Sequence, residues 1–252
     1  MLAATASYLR TCPPDSPATA RQGLSRHFFF SLMLLYAIIA VIGFVPSLIG
    51  FARGTFPMSV PAHIHGVLMV SWLAMLVAQS ALPSRGNVGL HQRVGAWVVV
   101  LAALIWVSLA VMTMRSIVVN DPQPGNFIYN ILLLQGMILL LFPLFFGWAF
   151  LRRRTPGWHK RLMVLAALLP LQASIDRMFW MPRGASSQWE NFLYLDLLLI
   201  PLFIFDFKTL RRIHPATAIG TLILVATQLV ALALWNNPAW HQFAHGLTLG
   251  LR

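Results

Sequence analysis

Seven apolar stretches, each about as long as a helix that crosses a lipid bilayer, leave this 252-residue chain few folds to choose from. They run over 28–50, 59–82, 92–114, 126–150, 160–181, 190–207 and 215–235, with short polar connectors between them. A hydrocarbon core of about 30 Å takes roughly 20 residues at a rise of 1.5 Å each, and only the sixth stretch is short of that. Backbone N–H and C=O groups meet no water there, so each stretch must bond to itself as a helix. The expected fold is all-α, a polytopic membrane bundle of seven transmembrane helices. Composition agrees, with 58% apolar residues, 10% charged residues and a mean hydropathy of +0.74. The net charge of +12 comes from 18 bases set against 6 acids. Those bases collect between the apolar stretches, so the charge speaks for topology and anionic lipid headgroups as partners, and no nucleic-acid partner is expected.

Residues 1–26 carry Pro13, Pro14 and Pro17 among Ser and Thr and hold no long apolar run, which reads as a disordered cytoplasmic leader. The apolar stretch after it is too long for a cleavable signal and follows basic residues, so it stays as the first helix. Residues 27–236 form the expected transmembrane domain and 237–252 an interfacial helix and tail. Cys12, in the leader, is the single cysteine, which excludes an intramolecular disulfide and any cysteine-based metal motif. With the N-terminus inside, thirteen bases fall on the inner side and Arg53, Arg115, Arg177, Arg183 and Arg252 on the outer side. That asymmetry predicts a cytoplasmic N-terminus and an outer C-terminus.

Polar side chains inside such spans are costly and mark function by default. His63 and His65 open the second span at its expected outer end. Gly89-Leu90-His91-Gln92-Arg93 opens the third span and Gly157-Trp158-His159-Lys160-Arg161 the fifth, a shared Gly-x-His-x-Arg, and His214 opens the seventh in a similar setting. The last six helices therefore read as three hairpins in parallel repeat. Histidine beside arginine is also ordinary chemistry at a membrane interface. In the expected outer half stand Asn130, Gln135, Gln172, Asp176, Arg177, Asp196 and Gln228, of which Gln172 and Asp176 share a helix face. They read as the lining of a shared outer polar cavity, or else as interhelical hydrogen-bonding glue. Asp176 and Arg177, being adjacent, point apart. In the tail, Asn237 as N-cap and Pro238 at the first position start a short helix to Gly246, on which His241 and His245 lie one turn apart. These two and the pair on the second span are expected at the same outer face.

Neutral imidazole ligates haem iron, copper and zinc well. Histidines at both ends of helical hairpins resemble the bis-histidine b-type cytochromes, in particular the transmembrane ascorbate-dependent reductases, whose ligands come from alternate parallel helices. His91 and His159 match that pattern. His65-Gly66-Val67-Leu68-Met69 is similar to the His-x-x-x-Met helix of haem-copper oxidase subunit I, although nothing resembles the oxidases' copper cluster. Over most of its length the chain is similar to uncharacterised bacterial multi-pass membrane proteins, through His-x-His-Gly, Trp72 and Gln79, His91-x-Arg93-x-Gly95 and His-Lys-Arg-Leu-Met at 159–163. That resemblance implies a bacterial inner-membrane location. Together these likenesses imply haem b in a membrane oxidoreductase that takes electrons from a quinol or a redox protein. One haem would lie between His91 and His159, and an outer one between His65 and His241 or His245, since the fourth span has no histidine. Arg85, Arg93, Arg161 and Arg177 would meet the propionates. His63, or copper or zinc at His65, His241 and His245, keeps a metal-handling reading open. A solute or ion transporter using Gln135, Asp176, Arg177 and Asp196 is the alternative class, and an assembly subunit of a respiratory complex is a third.

Overall fold

The computed structural model describes residues 17–55, 58–120, 123, 125–184 and 188–251, with side chains from His27 onward. Every regular element among them is helical: α1 (Pro17–Ala52), α2 (Val60–Ser84), α3 (Val88–Asn120), α4 (Ile128–Leu151), α5 (Pro156–Leu168), α6 (Leu171–Asp176), α7 (Trp189–Leu197), α8 (Ile200–Leu210), α9 (Pro215–Leu234) and α10 (Pro238–Thr248). Residues 1–16 of the expected leader, with Cys12, lie outside the described residues. The rest of that leader is helical, because α1 begins at Pro17, where a proline suits a first turn that lacks partners for its N–H groups anyway.

Among the described residues five helices are long and apolar enough to cross a membrane: His27–Ala52 of α1, and α2, α3, α4 and α9. The fifth and sixth expected spans are each interrupted. Between α5 and α6 stands Pro170, which has no N–H to continue the ladder, and Gln172 N bonds instead to Leu169 O at 3.2 Å. Between α7 and α8 the pattern also tightens, with Leu199 N on Asp196 O at 2.9 Å and Leu202 N on Leu199 O at 2.9 Å, just around Pro201. The Leu198 carbonyl is thereby left without its helical donor. Tyr36 of α1, itself fully buried, donates its hydroxyl to that oxygen at 3.0 Å. The irregular backbone is thus enclosed by protein, the setting in which it is tolerated at membrane depth.

Packing makes α5 the central helix, since Leu162, Val164, Leu165, Ala166, Ala167 and Leu168 are all buried. It lies against α4, α9, α6 and α1. The α2–α3 hairpin is peripheral, and Val67, Val70, Val100 and Leu104 leave its outward faces apolar and exposed. A helix apolar all round belongs in a protein core, while an apolar face turned outward suits lipid. Close approach is decided locally by small residues: a Cβ on Gly43 of α1 would overlap the Ser174 carbonyl oxygen of α6.

Candidate functional site

His91 lies in the first turn of α3 and His159 in the first turn of α5, and their rings meet edge to face at 6.2 Å between centroids with planes 72° apart. Each is held in the same way. His91 Nδ1 lies 3.0 Å from the Gln79 carbonyl oxygen near the end of α2, and His159 Nδ1 lies 2.9 Å from the Ala149 carbonyl oxygen near the end of α4. A carbonyl only accepts, so Nδ1 carries a proton in both rings, and in the neutral imidazole Nε2 then keeps its lone pair. No hydrogen bond among the described residues engages either Nε2. An Nδ1–H anchored on a backbone oxygen is the arrangement that orients a metal-ligating imidazole. The Gly-x-His-x-Arg repeat therefore has a structural meaning in two hairpins: the histidine opening the second helix reaches back to the end of the first.

The third histidine of that series is held differently. His214 Nδ1 accepts the Ala216 N–H at 3.0 Å as the N-cap of α9, so its proton sits on Nε2. Its backbone N–H donates to Asp206 Oδ2 at 3.0 Å, and Thr217 Oγ1 donates to the same oxygen at 2.7 Å. The other oxygen, Oδ1, takes Arg161 Nε at 2.8 Å and Nη2 at 2.5 Å. Asp206 and Arg161 are both buried and form the single ion pair among the described residues. The turn that allows this ends α8 on Arg211, which adopts the left-handed region (φ 58°) and returns the chain to Asp206. Burial pushes the His214 imidazole below the ordinary histidine range, the Arg161 and Arg212 charges push the same way, and Asp206 opposes them. Asp206 was not among the residues expected to matter. Its signal was an acid embedded in Phe-Asp-Phe at a span end, and its partner stands 45 residues away. Arg161 is thereby committed and is not free for a propionate.

Hydrogen bonding among the described residues joins the expected outer residues in several groups. His65 Nδ1 meets Ser108 Oγ of α3 at 2.8 Å, and Ser108 spends its own proton on Ile105 O at 2.8 Å, so His65 is the donor. His63 Nδ1 donates to Ser59 O at 3.0 Å, with the Phe51 ring edge-on at 5.1 Å. His241 and His245 pack on the start of α4: His241 Nε2 lies 3.0 Å from Asn130 Oδ1, and His245 Nδ1 lies 2.9 Å from the Tyr129 hydroxyl. Asn130 also joins Asn236 through its amide nitrogen at 2.6 Å. A cavity of about 350 Å³ opens beside this group, lined by Gly125, Asn236, Pro238, His241 and Gln242. Neither His65 nor His63 shares a hydrogen bond or ring contact with His241 among the described residues. The cap of α10 is as expected, with Asn237 accepting from Ala239 N at 2.9 Å and Trp240 N at 3.3 Å, and the helix runs two residues past Gly246.

Asp196 pairs with Gln228 of α9 at 3.0 Å. Asp176 forms a third group: its Oδ1 accepts from Gln172 Nε2 at 2.8 Å, Gln188 Nε2 at 2.9 Å and Asn191 Nδ2 at 2.9 Å. Arg177 turns away, as adjacency requires, onto the Ala173 carbonyl at 2.6 Å and over the Phe44 ring at 4.5 Å. Several buried polar atoms lack any partner among the described residues, including Trp72 Nε1, both amide atoms of Gln79, and the oxygens Gln135 Oε1, Gln172 Oε1 and Asn191 Oδ1. Each such group costs about 1–3 kcal/mol if nothing binds it.

Among the described residues no three or more His, Cys, Asp or Glu side chains gather as a metal cluster. The class defined so far is a multi-pass helical membrane protein, whose distinguishing feature is a pair of oriented imidazoles at one end of the bundle. No protein family, curated protein or solved structure matches the chain.

Proposed function

We propose that the protein crosses the membrane seven times with its N-terminus inside, counts its two interrupted helix pairs as spans, and binds one haem b between His91 and His159 for electron transfer. The observation that carries this reading is the shared geometry of the two imidazoles: both Nδ1–H groups are anchored on backbone carbonyls and both Nε2 lone pairs are unused, at 6.2 Å between rings. His91 and His159 would be the residues that hold haem iron, through their Nε2 lone pairs. A structural zinc site would need about four protein ligands.

Haem bound there supplies one-electron redox chemistry close to one membrane face. The chain's own part is orientation and burial. The Gln79 and Ala149 carbonyls fix the tautomer and increase the basicity of Nε2. The unpaired Gln79 amide and Trp72 Nε1 lie on the same α2 face, seven residues apart, and are the buried donors nearest in sequence to the carbonyl that holds His91. Arg85 and Arg93 remain as the propionate partners, because Arg161 is spent on Asp206 and Arg177 on Ala173. The outer haem expected between His65 and His241 or His245 is no part of this proposal, in which His241 Nε2 lies 3.0 Å from Asn130 Oδ1.

The test is a reduced-minus-oxidised visible spectrum of the full chain purified from haem-sufficient cells, with iron analysis. Sharp b-type bands at about one haem per chain, lost in His91→Ala and in His159→Ala with the protein still inserted, support the proposal. A colourless, iron-free wild type, or full haem content in both variants, overturns it and returns attention to the outer polar residues.

A further inference from the structure

We propose that the α4–α5 and α8–α9 turns together form a binding site for the headgroup of an anionic phospholipid, independent of the haem reading. Two separate stretches of chain build it. Arg152-Arg153-Arg154-Thr155 follows α4, and Arg211-Arg212-Ile213-His214 follows α8. Asp206 draws the two together, since one of its oxygens takes Arg161 of α5 and the other takes the His214 N–H. The Trp158 indole stands between them: His214 meets it edge-on at 5.6 Å, and the Arg152 guanidinium lies over it at 5.1 Å. Arg152 and His214 thus flank one ring. His214 Nδ1 accepts the Ala216 N–H, so the proton is on Nε2, and no hydrogen bond among the described residues uses that donor. A Cβ on Gly157 would stand 3.2 Å from Nε2, so the missing side chain leaves room beside this N–H.

No acid answers these bases. Among the described residues the acid at this end of the bundle is Asp206, which is fully buried and already holds Arg161, Thr217 and the His214 N–H. Arg152, Arg154, Lys208, Arg211 and Arg212 are all exposed, and none forms an ion pair among the described residues. Arg153 is turned back onto the Phe150 carbonyl at 3.1 Å and over the Phe150 ring at 4.3 Å. A cluster of one sign repels itself until a counter-charge joins it. Guanidinium forks and an imidazole N–H match the oxygens of a phosphate. The apolar surface beside the bases makes that phosphate a lipid's. Leu151 at the end of α4 and Phe207 and Leu210 at the end of α8 are exposed next to the two turns, where acyl chains would cover them. A free anion would leave them bare. Trp148 and Trp158, packed together at 5.4 Å, suit the headgroup level, where tryptophan collects. Basic pockets between membrane helices recurrently hold anionic headgroups.

The experiment titrates the full chain in dodecyl maltoside micelles with phosphatidylglycerol, and in parallel with phosphatidylcholine. Native mass spectrometry counts the bound lipid and tryptophan fluorescence follows the melting temperature. Saturable binding of about one phosphatidylglycerol per chain, with a higher melting temperature than in phosphatidylcholine, is the expected result. The triple variant Arg152→Gln, Arg211→Gln, Arg212→Gln changes only exposed side chains and should lose roughly tenfold or more in affinity. Arg53→Gln with Arg115→Gln, exposed bases at the opposite end of the bundle, should bind like the wild type. Equal binding of both lipids by the wild type, or unchanged phosphatidylglycerol affinity in the triple variant, would overturn the site. An equal loss in the Arg53 and Arg115 variant would overturn it in favour of general charge attraction. Stabilisation by inorganic phosphate alone to the same extent would overturn it in favour of a free anion.

Discussion

Replacing Asp206 with alanine removes one carboxylate and strands four donors at once. Arg161 loses its counter-charge while its side chain is 4% exposed, and its Nε and Nη2 lose their acceptor. Thr217 Oγ1 and the His214 N–H lose theirs. An uncompensated buried charge costs about 3–5 kcal/mol. A lost neutral hydrogen bond adds about 1 kcal/mol, but these groups form one network and the terms overlap. The expected loss is therefore about 4 kcal/mol, with Arg161→Met close behind. Thr217→Val, which removes only one donor, should cost about 1 kcal/mol. The double variant Arg161→Met with Asp206→Leu should be more stable than Asp206→Ala alone, because no charge is left buried. Equilibrium unfolding in mixed micelles, followed by tryptophan fluorescence, measures all four. Losses below about 1 kcal/mol in both Asp206→Ala and Arg161→Met, or a double variant as unstable as those two losses added together, would refute the reasoning.

Three other expectations rest on separate contacts. Tyr36→Phe should cost about 1–3 kcal/mol, since it leaves the Leu198 carbonyl buried without a donor at the α7–α8 interruption; the same unfolding titration reads it. Gly43→Val should destabilise by about 1–3 kcal/mol through overlap with the Ser174 backbone, whereas Gly66→Val, where nothing lies within 4 Å, should stay close to wild type. Because the folded-state value of His214 is lowered, the unfolded chain takes up that proton first as pH falls. The contribution is complete above the unfolded value of about 6.5 and is lost as pH falls from there through the lowered folded value, so the unfolding midpoint should decline as the pH is taken below about 7. His214→Asn keeps an N-cap acceptor without the titration, and should shrink that fall.

Membrane-spanning character, the run of connectors and the cap of α10 were all legible in the chain, because each depends on neighbours a few residues apart. Asn237 and Pro238 start a helix by local hydrogen bonding, and an apolar stretch of two dozen residues is a helix in lipid whatever surrounds it. Pro170 and Pro201 were visible too, yet whether they bend a span or divide it depends on who receives the freed backbone groups. For Leu198 that partner is Tyr36, 162 residues away. The repeated Gly-x-His-x-Arg marked His91 and His159, but it marked His214 equally. Only the fold distinguishes them, through carbonyl acceptors at Gln79 and Ala149 against a donor at Ala216.

The amino-acid sequence by itself therefore determined the solvent this chain lives in, its helical character and the helix ends where its histidines sit, because burial of apolar length and local capping need no distant partner. The tertiary structure alone decided which polar groups meet: Arg161 with Asp206, Tyr36 with Leu198, and Asp176 with three amides rather than with Arg177 beside it. Hydrogen bonds and ion pairs act over about 3 Å, and no spacing along a chain says which helices will bring two groups within that reach.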